Sequence, residues 1–281
     1  MSERLSARAF LRLCRVRDWL HFLPLPLATF DPSPPLAAGL FAAARGVASA
    51  FTILAFGYLI NSIADRHMDL DARKNPLILR GAGEHGWSLA GLLGLSLLLA
   101  AVAPWPAQLA GLLCLAILYA YSAGPRLKAV PIVGSLMNVG NFTPLLFVGM
   151  RGTTLAPRFW WVVLAFAGLL LQNQFIHEGA DQVEDRGGRL RTTWLTLGRR
   201  WTAVLAALSG LSAAAAAVHL APPAAARLFG YAGVALFAAT FPLLLARLGD
   251  DWRQVARLRL TQRWAAALFG SALFVAWHWG A

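Results

Sequence analysis

Six of the 13 acidic residues in this 281-residue chain fall in two short windows, 61–69 and 178–185. The first reads N-x-x-x-D-x-x-x-D through Asn61, Asp65 and Asp69, and the second reads E-x-x-D-x-x-x-D through Glu178, Asp181 and Asp185. Residues four apart on a helix share a face and climb it by roughly 6 Å per step. Each window is therefore a stripe of hard oxygen donors, with Glu178 a turn above Asp181. Mg2+ takes one or two carboxylates plus waters and phosphate oxygens more readily than an all-protein cage. Two facing stripes would hold a diphosphate through bridging Mg2+ ions, which neutralise charge on a leaving phosphate. A lone D-x-x-x-D is as readily a solvated loop, balanced by arginines such as Arg66, Arg73, Arg186 and Arg189. Two of them, each closing an apolar helix, call for more, because carboxylates at the edge of a bilayer are costly and mark function.

A third polar stretch runs Tyr121-Ser122-Ala123-Gly124-Pro125-Arg126-Leu127-Lys128. Arg126 and Lys128 can grip phosphate oxygens, and the Tyr121 and Ser122 hydroxyls can donate hydrogen bonds. Taken alone, it reads as a basic loop. Of 25 basic residues, however, only Lys74 and Lys128 are lysines, and both fall in these polar segments. A lysine is a compact charge suited to phosphate.

The elements that must carry these residues are membrane helices. The chain is 58% hydrophobic and only 14% charged, with a mean hydropathy of +0.58. Apolar runs of about 17–25 residues, the length that crosses hydrocarbon as helix, recur throughout. The expected fold is all-α and polytopic: about nine transmembrane helices around a central cavity, over 18–40, 42–63, 87–104, 107–123, 131–150, 158–180, 201–219, 223–246 and 262–280. A β-barrel would need short alternating segments, which the sequence lacks. Placing the N-terminus in the cytoplasm puts every basic residue except Arg45, Arg151, Arg158 and Arg227 on the inner side, as the positive-inside rule requires. Trp105, Trp160, Trp161, Trp277 and Trp279 then form an outer aromatic belt, and all three polar stretches lie on the cytoplasmic face.

The whole chain, 1–281, reads as a single transmembrane domain. Residues 1–17 form an amphipathic interfacial segment, and 64–86 and 181–200 form cytoplasmic loops that carry the site. The two loop regions resemble each other, each an apolar helix running into acids, arginines and a glycine, which points to an internal repeat. The net charge of +12 does not imply nucleic acid, since the basic residues sit in short loops beside apolar runs. Cys14 and Cys114 lie in unlike settings and are read as unpaired. The arginine-rich N-terminus lacks the short apolar core of a cleavable signal.

With these residues in place, the chain resembles the UbiA superfamily of intramembrane aromatic prenyltransferases over nearly its full length. The resemblance lies in helix count, orientation and motif order. The N-x-x-x-D-x-x-x-D stretch with its tail Arg73-Lys74-Asn75-Pro76 carries it most specifically. The Tyr-Ser-x-x-x-Arg-Leu-Lys stretch follows, then the acidic motif leading through Arg186-Gly187-Gly188 to Thr192-Thr193 and Leu197-Gly198. The resemblance implies Mg2+ as cofactor, bound by Asn61, Asp65, Asp69, Asp181 and Asp185, with Glu178 where an aspartate is commoner. It implies a prenyl diphosphate contacted by Arg126, Lys128, Tyr121, Ser122, Arg66, Lys74 and, at the entry to the first helix beside Arg15 and Trp19, Arg17. The expected reaction joins the prenyl group to an aromatic or similarly lipophilic acceptor and releases diphosphate. Departures are Ser62, where an aspartate often follows the asparagine, Pro125 in the basic segment, His67, and the polar run 172–177. They leave the metal chemistry intact and bear on the acceptor.

Gln174 and His177 lie one to two turns deeper than Asp181, where they contact an acceptor or hydrogen-bond Asn138 or Asn141. The polar run also keeps open a terpene cyclase of the same type, which ionises the diphosphate without an external acceptor. A transporter is disfavoured, because the acids crowd one face while the outer halves of the helices are nearly free of them. Arginine-rich, lysine-poor usage points to a GC-rich prokaryote and its plasma membrane.

Overall fold

The computed structural model describes residues 7–30, 33, 35–67, 69, 75–79, 85–188, 190–248 and 251–279, and helix is the only regular structure among them. The chain divides into two compact units. One comprises residues 1–127 and 140–154, the other 128–139 and 155–281. Each unit contains one of the two acidic windows.

The first unit begins with two short helices, α1 (Ala7–Leu13) and α2 (Val16–Trp19), then 3-10 turns at Leu20–Phe22 and Leu25–Thr29. The continuous helix expected over 18–40 is not formed. Pro24 and Pro26 lack amide donors, so this stretch closes as short turns, and the next α-helix among the described residues begins at Leu36. From there α3 (Leu36–Asp65) runs unbroken for 30 residues, straight through the loop expected near residue 41. It packs against α4 (Gly86–Ala101) and α5 (Trp105–Ser122), which also pack on each other. The C-terminal end of α6 (Val133–Phe142) continues into a 3-10 turn, Thr143–Leu146, that lies on α5.

The second unit includes the first seven residues of α6 and is built around α7 (Phe159–Ala180) and α9 (Thr193–Leu220), which make its most extensive contact. The short α8 (Gln182–Gly187) joins them. Gly198, at φ 74, kinks α9 near its start, a backbone region that suits glycine. The next segment is continuous from Pro223 to Leu248: α10 (Pro223–Gly233), a π-helical stretch Val234–Thr240, and α11 (Phe241–Leu248). Finally α12 (Trp252–Trp279) packs on α7 and α11. Small residues let these backbones approach: a methyl added at Gly210 of α9 would stand 2.1 Å from the Phe237 carbonyl oxygen of the π stretch. The core here is alanine-rich along α9, closed by Phe237, Phe241, Leu245 and Phe269.

Among the described residues, five helical segments are long and apolar enough to cross a membrane: α3, α5, α7, α9 and the Pro223–Leu248 segment. The shorter α4 is also apolar, with 16 residues.

Candidate functional site

In the first unit, the last two turns of α3 hold Asn61 and Asp65. The chain then leaves the helix with the Asp69 amide bonded back to the Asp65 carbonyl at 2.9 Å. The first stripe therefore survives past the helix end. Asp65 is only 8% exposed, and its Oδ1 accepts from the Arg126 guanidinium at 2.9 Å. Ser122 Oγ donates to Asn61 Oδ1 at 3.1 Å. The first acidic stripe and the basic stretch after α5 thus meet through side chains 61 residues apart in sequence. Arg126 adopts φ 51, a left-handed conformation uncommon outside glycine, as the chain turns after Pro125.

Asn75 was not singled out as a site residue by sequence, yet it is completely buried. Its Nδ2 donates to the Asp69 carboxylate and to the Ser62 carbonyl, both at 2.8 Å, and its Oδ1 accepts from the Leu77 amide at 3.1 Å. The Asn-Pro dipeptide was the available signal, since it marks a turn. Arg66 Nε lies 2.8 Å from His67 Nε2. Tyr121 is half-buried, and Arg17 is exposed on α2. Lys74, with Arg73, lies outside the described residues. Nearby, Arg15 pairs with Asp18 at 2.8 Å and stacks over Tyr58, while Trp19 is buried against Phe51 and donates to the Cys14 carbonyl.

In the second unit, Lys128 sits half-buried in a 3-10 turn, Leu127–Ala129, ahead of α6. Asp181 terminates α7 and begins α8, and the Asp185 amide bonds its carbonyl at 2.9 Å. His177 Nδ1 lies 3.3 Å from Asp181 Oδ2. Both aspartates are partly open to their surroundings. Glu178 differs: it is buried, and its oxygens accept from Ser135 Oγ at 2.5 Å, Gln174 Nε2 at 3.3 Å and the Trp194 amide at 3.1 Å. Gln174 in turn accepts from Asn138 Nδ2 at 2.6 Å.

The rest of the polar run belongs to packing. Gln172 donates to the Ala206 carbonyl and to that of Phe237 in the π stretch, and accepts from Gln262. Asn173 Nδ2 donates to Gln262 Oε1 at 2.7 Å. Asn141 falls in the first unit, buried, with its backbone carbonyl near Cys114 Sγ.

No group of three or more Asp, Glu, His or Cys side chains gathers into a ready cage among the described residues. Each acidic segment offers one or two carboxylates at a helix end, with amide and hydroxyl groups around them. That donor set suits a hard cation completed by waters and substrate phosphates. It does not suit zinc, which prefers nitrogen and sulfur ligands.

Three comparisons with known proteins bear on the chain. The family model described as the UbiA prenyltransferase family matches residues 26–278. Among solved structures, a UbiA homologue from Archaeoglobus fulgidus bound to GPP and Mg2+ superposes with a TM-score of 0.68 at 21% identity, covering 95% of this chain and 99% of that one. A structure described for digeranylgeranylglyceryl phosphate synthase in membranes superposes with a TM-score of 0.72 at 15% identity, covering 96% and 97%. No curated protein matches in sequence.

Proposed function

The chain belongs to the UbiA prenyltransferase family, and from that premise we propose that it transfers a prenyl group, in a Mg2+-dependent reaction, from a prenyl diphosphate to an aromatic or similarly lipophilic acceptor. The observation that carries the reading is the meeting of Asn61 and Asp65 with Ser122 and Arg126. A carboxylate, a guanidinium, an amide and a hydroxyl are held together at one helix end.

In this reading Asp65, Asp69, Asp181 and Asp185, with Asn61, hold Mg2+, which supplies charge neutralisation at the diphosphate oxygens. Arg126 and Lys128 bind phosphate oxygens, supported by Tyr121, Ser122, Arg66, Lys74 and Arg17. Arg126 already sits 2.9 Å from Asp65, so an arriving diphosphate shares a guanidinium that the protein has oriented beforehand. The bond between the allylic carbon and the diphosphate oxygen breaks, and its electron pair leaves with the diphosphate. The acceptor then bonds the allylic carbon and gives up a proton where it carries one. Fixed donors aimed at the departing oxygens supply most of the rate. The A. fulgidus homologue has been solved with GPP and with DMAPP, each with Mg2+, which supports this assignment of substrate and cation.

Gln172, Asn173 and Gln174 hydrogen-bond within their own unit, and a terpene cyclase, which ionises the diphosphate without an external acceptor, is the alternative reading. The cytoplasmic N-terminus and a plasma-membrane location belong to the same proposal.

The test is diphosphate release by the purified, detergent-solubilised protein. Geranyl, farnesyl and geranylgeranyl diphosphates are supplied with and without Mg2+, and with 4-hydroxybenzoate as acceptor. Release that requires Mg2+ and is lost in Asp65→Ala and Asp181→Ala supports the reading. A prenylated acceptor identifies a transferase, and a cyclic hydrocarbon or alcohol formed without acceptor identifies a cyclase. Failure of all three diphosphates to bind refutes the proposal.

A further inference from the structure

We propose that Glu178 is not a metal ligand but the hub of a buried hydrogen-bond clasp, closed by Ser135, Thr193 and the Trp194 amide, that positions Asp181 and Asp185. The inference rests on the reading of those two aspartates as Mg2+ ligands.

The first argument is occupancy. An ionised carboxylate offers about four acceptor positions. Three of Glu178's are taken, by Ser135 Oγ, Gln174 Nε2 and the Trp194 amide. One position on Oε2 is left, and with the side chain buried a cation could bind through both carboxylate oxygens only by orphaning one of these donors.

The second argument is direction. The Ile132 amide donates to Thr193 Oγ1 at 2.8 Å, and Thr193 Oγ1 lies 2.8 Å from Ser135 Oγ, which donates to Glu178. A single orientation lets each hydroxyl donate once and accept once, with every donor pointing toward the carboxylate. Asn138 donates to Gln174, which donates to Glu178, so a second branch runs the same way. Hydrogen bonds ending on a charge are the strong ones, and chains of them reinforce one another. Ser135 and Thr193 are each only 1% exposed, so water does not compete.

The third argument is mechanical. The clasp joins three segments of the second unit: the start of α6, the last turn of α7 and the first turn of α9. At α9 the Trp194 amide is one of the four N-terminal donors that a helix leaves unpaired, and a negative charge there is favourable. The Trp194 ring lies where a methyl on Gly179 would stand 2.8 Å away, so α7 and α9 touch directly beside Glu178. At the other end the clasp holds Ile132, a β-branched residue at φ 63. Such strain persists only where surrounding contacts impose it and concentrates at functional sites. Asp181 follows Glu178 by three residues, and its amide still bonds the His177 carbonyl at 2.9 Å. Fixing Glu178 therefore fixes the helix end on which Asp181 stands and from which Asp185 is hung.

The test is Mn2+ binding, followed by electron paramagnetic resonance on the detergent-solubilised full chain with geranyl diphosphate present. The variants are Ser135→Ala, Thr193→Val, Thr193→Ser, Glu178→Gln and the double variant Ser135→Ala/Thr193→Val. Ser135→Ala and Thr193→Val should each weaken Mn2+ binding by about 10-fold, as loss of outer-shell support to a metal typically does. The double variant should lose no more than the worse single one, because both cut the same chain. Thr193→Ser, which keeps the hydroxyl, should bind as the parent does and shows that the fold tolerates change there. If Glu178→Gln alone weakens binding while Ser135→Ala and Thr193→Val match the parent, Glu178 is itself a ligand and the inference is overturned. If all variants match the parent, the clasp serves the fold alone and the inference is equally overturned. A parent chain that binds no Mn2+ overturns the metal reading of both segments, and this inference with it.

Discussion

Asn75 uses both amide hydrogens at the end of α3, donating to Asp69 and to the Ser62 carbonyl, while its oxygen accepts from the Leu77 amide. Replacing it with alanine strips the buried Ser62 carbonyl of that partner and frees the Asp69 carboxylate to rotate. We expect Asn75→Ala to raise the Mg2+ concentration needed for half-maximal diphosphate release by about 10-fold. We also expect it to lower stability by about 2 kcal/mol, the scale of an abandoned buried hydrogen bond. A Mg2+ titration and a thermal melt check the two effects separately. Asp65→Ala removes a proposed ligand, and we expect its kcat/KM to fall by at least about 100-fold, in line with loss of a preorganised electrostatic group. Arg126→Ala, which removes a proposed substrate contact, should act chiefly on KM for the prenyl diphosphate. The acids were readable from sequence because four-residue spacing is a helix period. Ser135 and the Trp194 amide were not, because they reach Glu178 through folding that no local spacing encodes, and Asn75 carried only the turn signal of its Asn-Pro dipeptide. Glu178 was legible as an acid of the right spacing, but its three donors, which set it apart from Asp181, come from α6, α7 and α9.

Helices as wholes were legible from hydropathy, whereas their ends and breaks followed backbone chemistry. Prolines at 24 and 26 turned an expected helix into 3-10 turns, and Gly198 let α9 begin at Thr193 and kink before its long apolar run. The π stretch Val234–Thr240 left no mark in hydropathy. Gln172 supports it with a bond to the Phe237 carbonyl, opposite Gly210. Gly210→Ala would force a methyl against that carbonyl and should destabilise the chain by about 1–3 kcal/mol, the usual cost of overpacking, seen as a lower thermal midpoint. The start of α12 makes a pH-dependent prediction. Asp251 accepts from the Gln254 side chain at 2.8 Å and from the Arg253 and Gln254 amides. Gln254's side-chain bond, foremost, holds the Asp251 carboxyl below the ordinary aspartate value. A carboxyl depressed in the folded state stabilises above its unfolded pKa, and that contribution is lost as pH falls through the folded one. Amide-exchange protection at Arg253 and Gln254 should therefore fall on acidification through that range. Asp251→Asn, which cannot titrate, should remove this pH dependence.

For the molecule as a whole, the decisive question is which side of the membrane each end of α7 faces, and the chain's own cysteines leave the assay clear. Cys14 and Cys114 are both fully buried, and burial pushes the Cys14 thiol up to about 12. Only the thiolate reacts, so neither residue should label with a membrane-impermeant maleimide at neutral pH until the protein is denatured. A cysteine introduced at an exposed position then reports alone. Trp160 and Arg186 are both exposed, one at the first turn of α7 and the other on α8 just past its end. The 22 residues of α7 rise about 33 Å, enough to cross the hydrocarbon core. If basic segments mark the cytoplasmic side, Arg186→Cys should label only in inverted vesicles and Trp160→Cys only in right-side-out ones. The reverse pattern would place the aspartates at 181 and 185 on the outer side, away from the compartment assigned to the proposed prenyl diphosphate. Labelling of both from one side would mean that α7 does not cross at all. The expected pattern puts the α7 end bearing Asp181 in the compartment where Mg2+ and the diphosphate headgroup of the proposed substrate would meet it, with the apolar body of the helix in lipid.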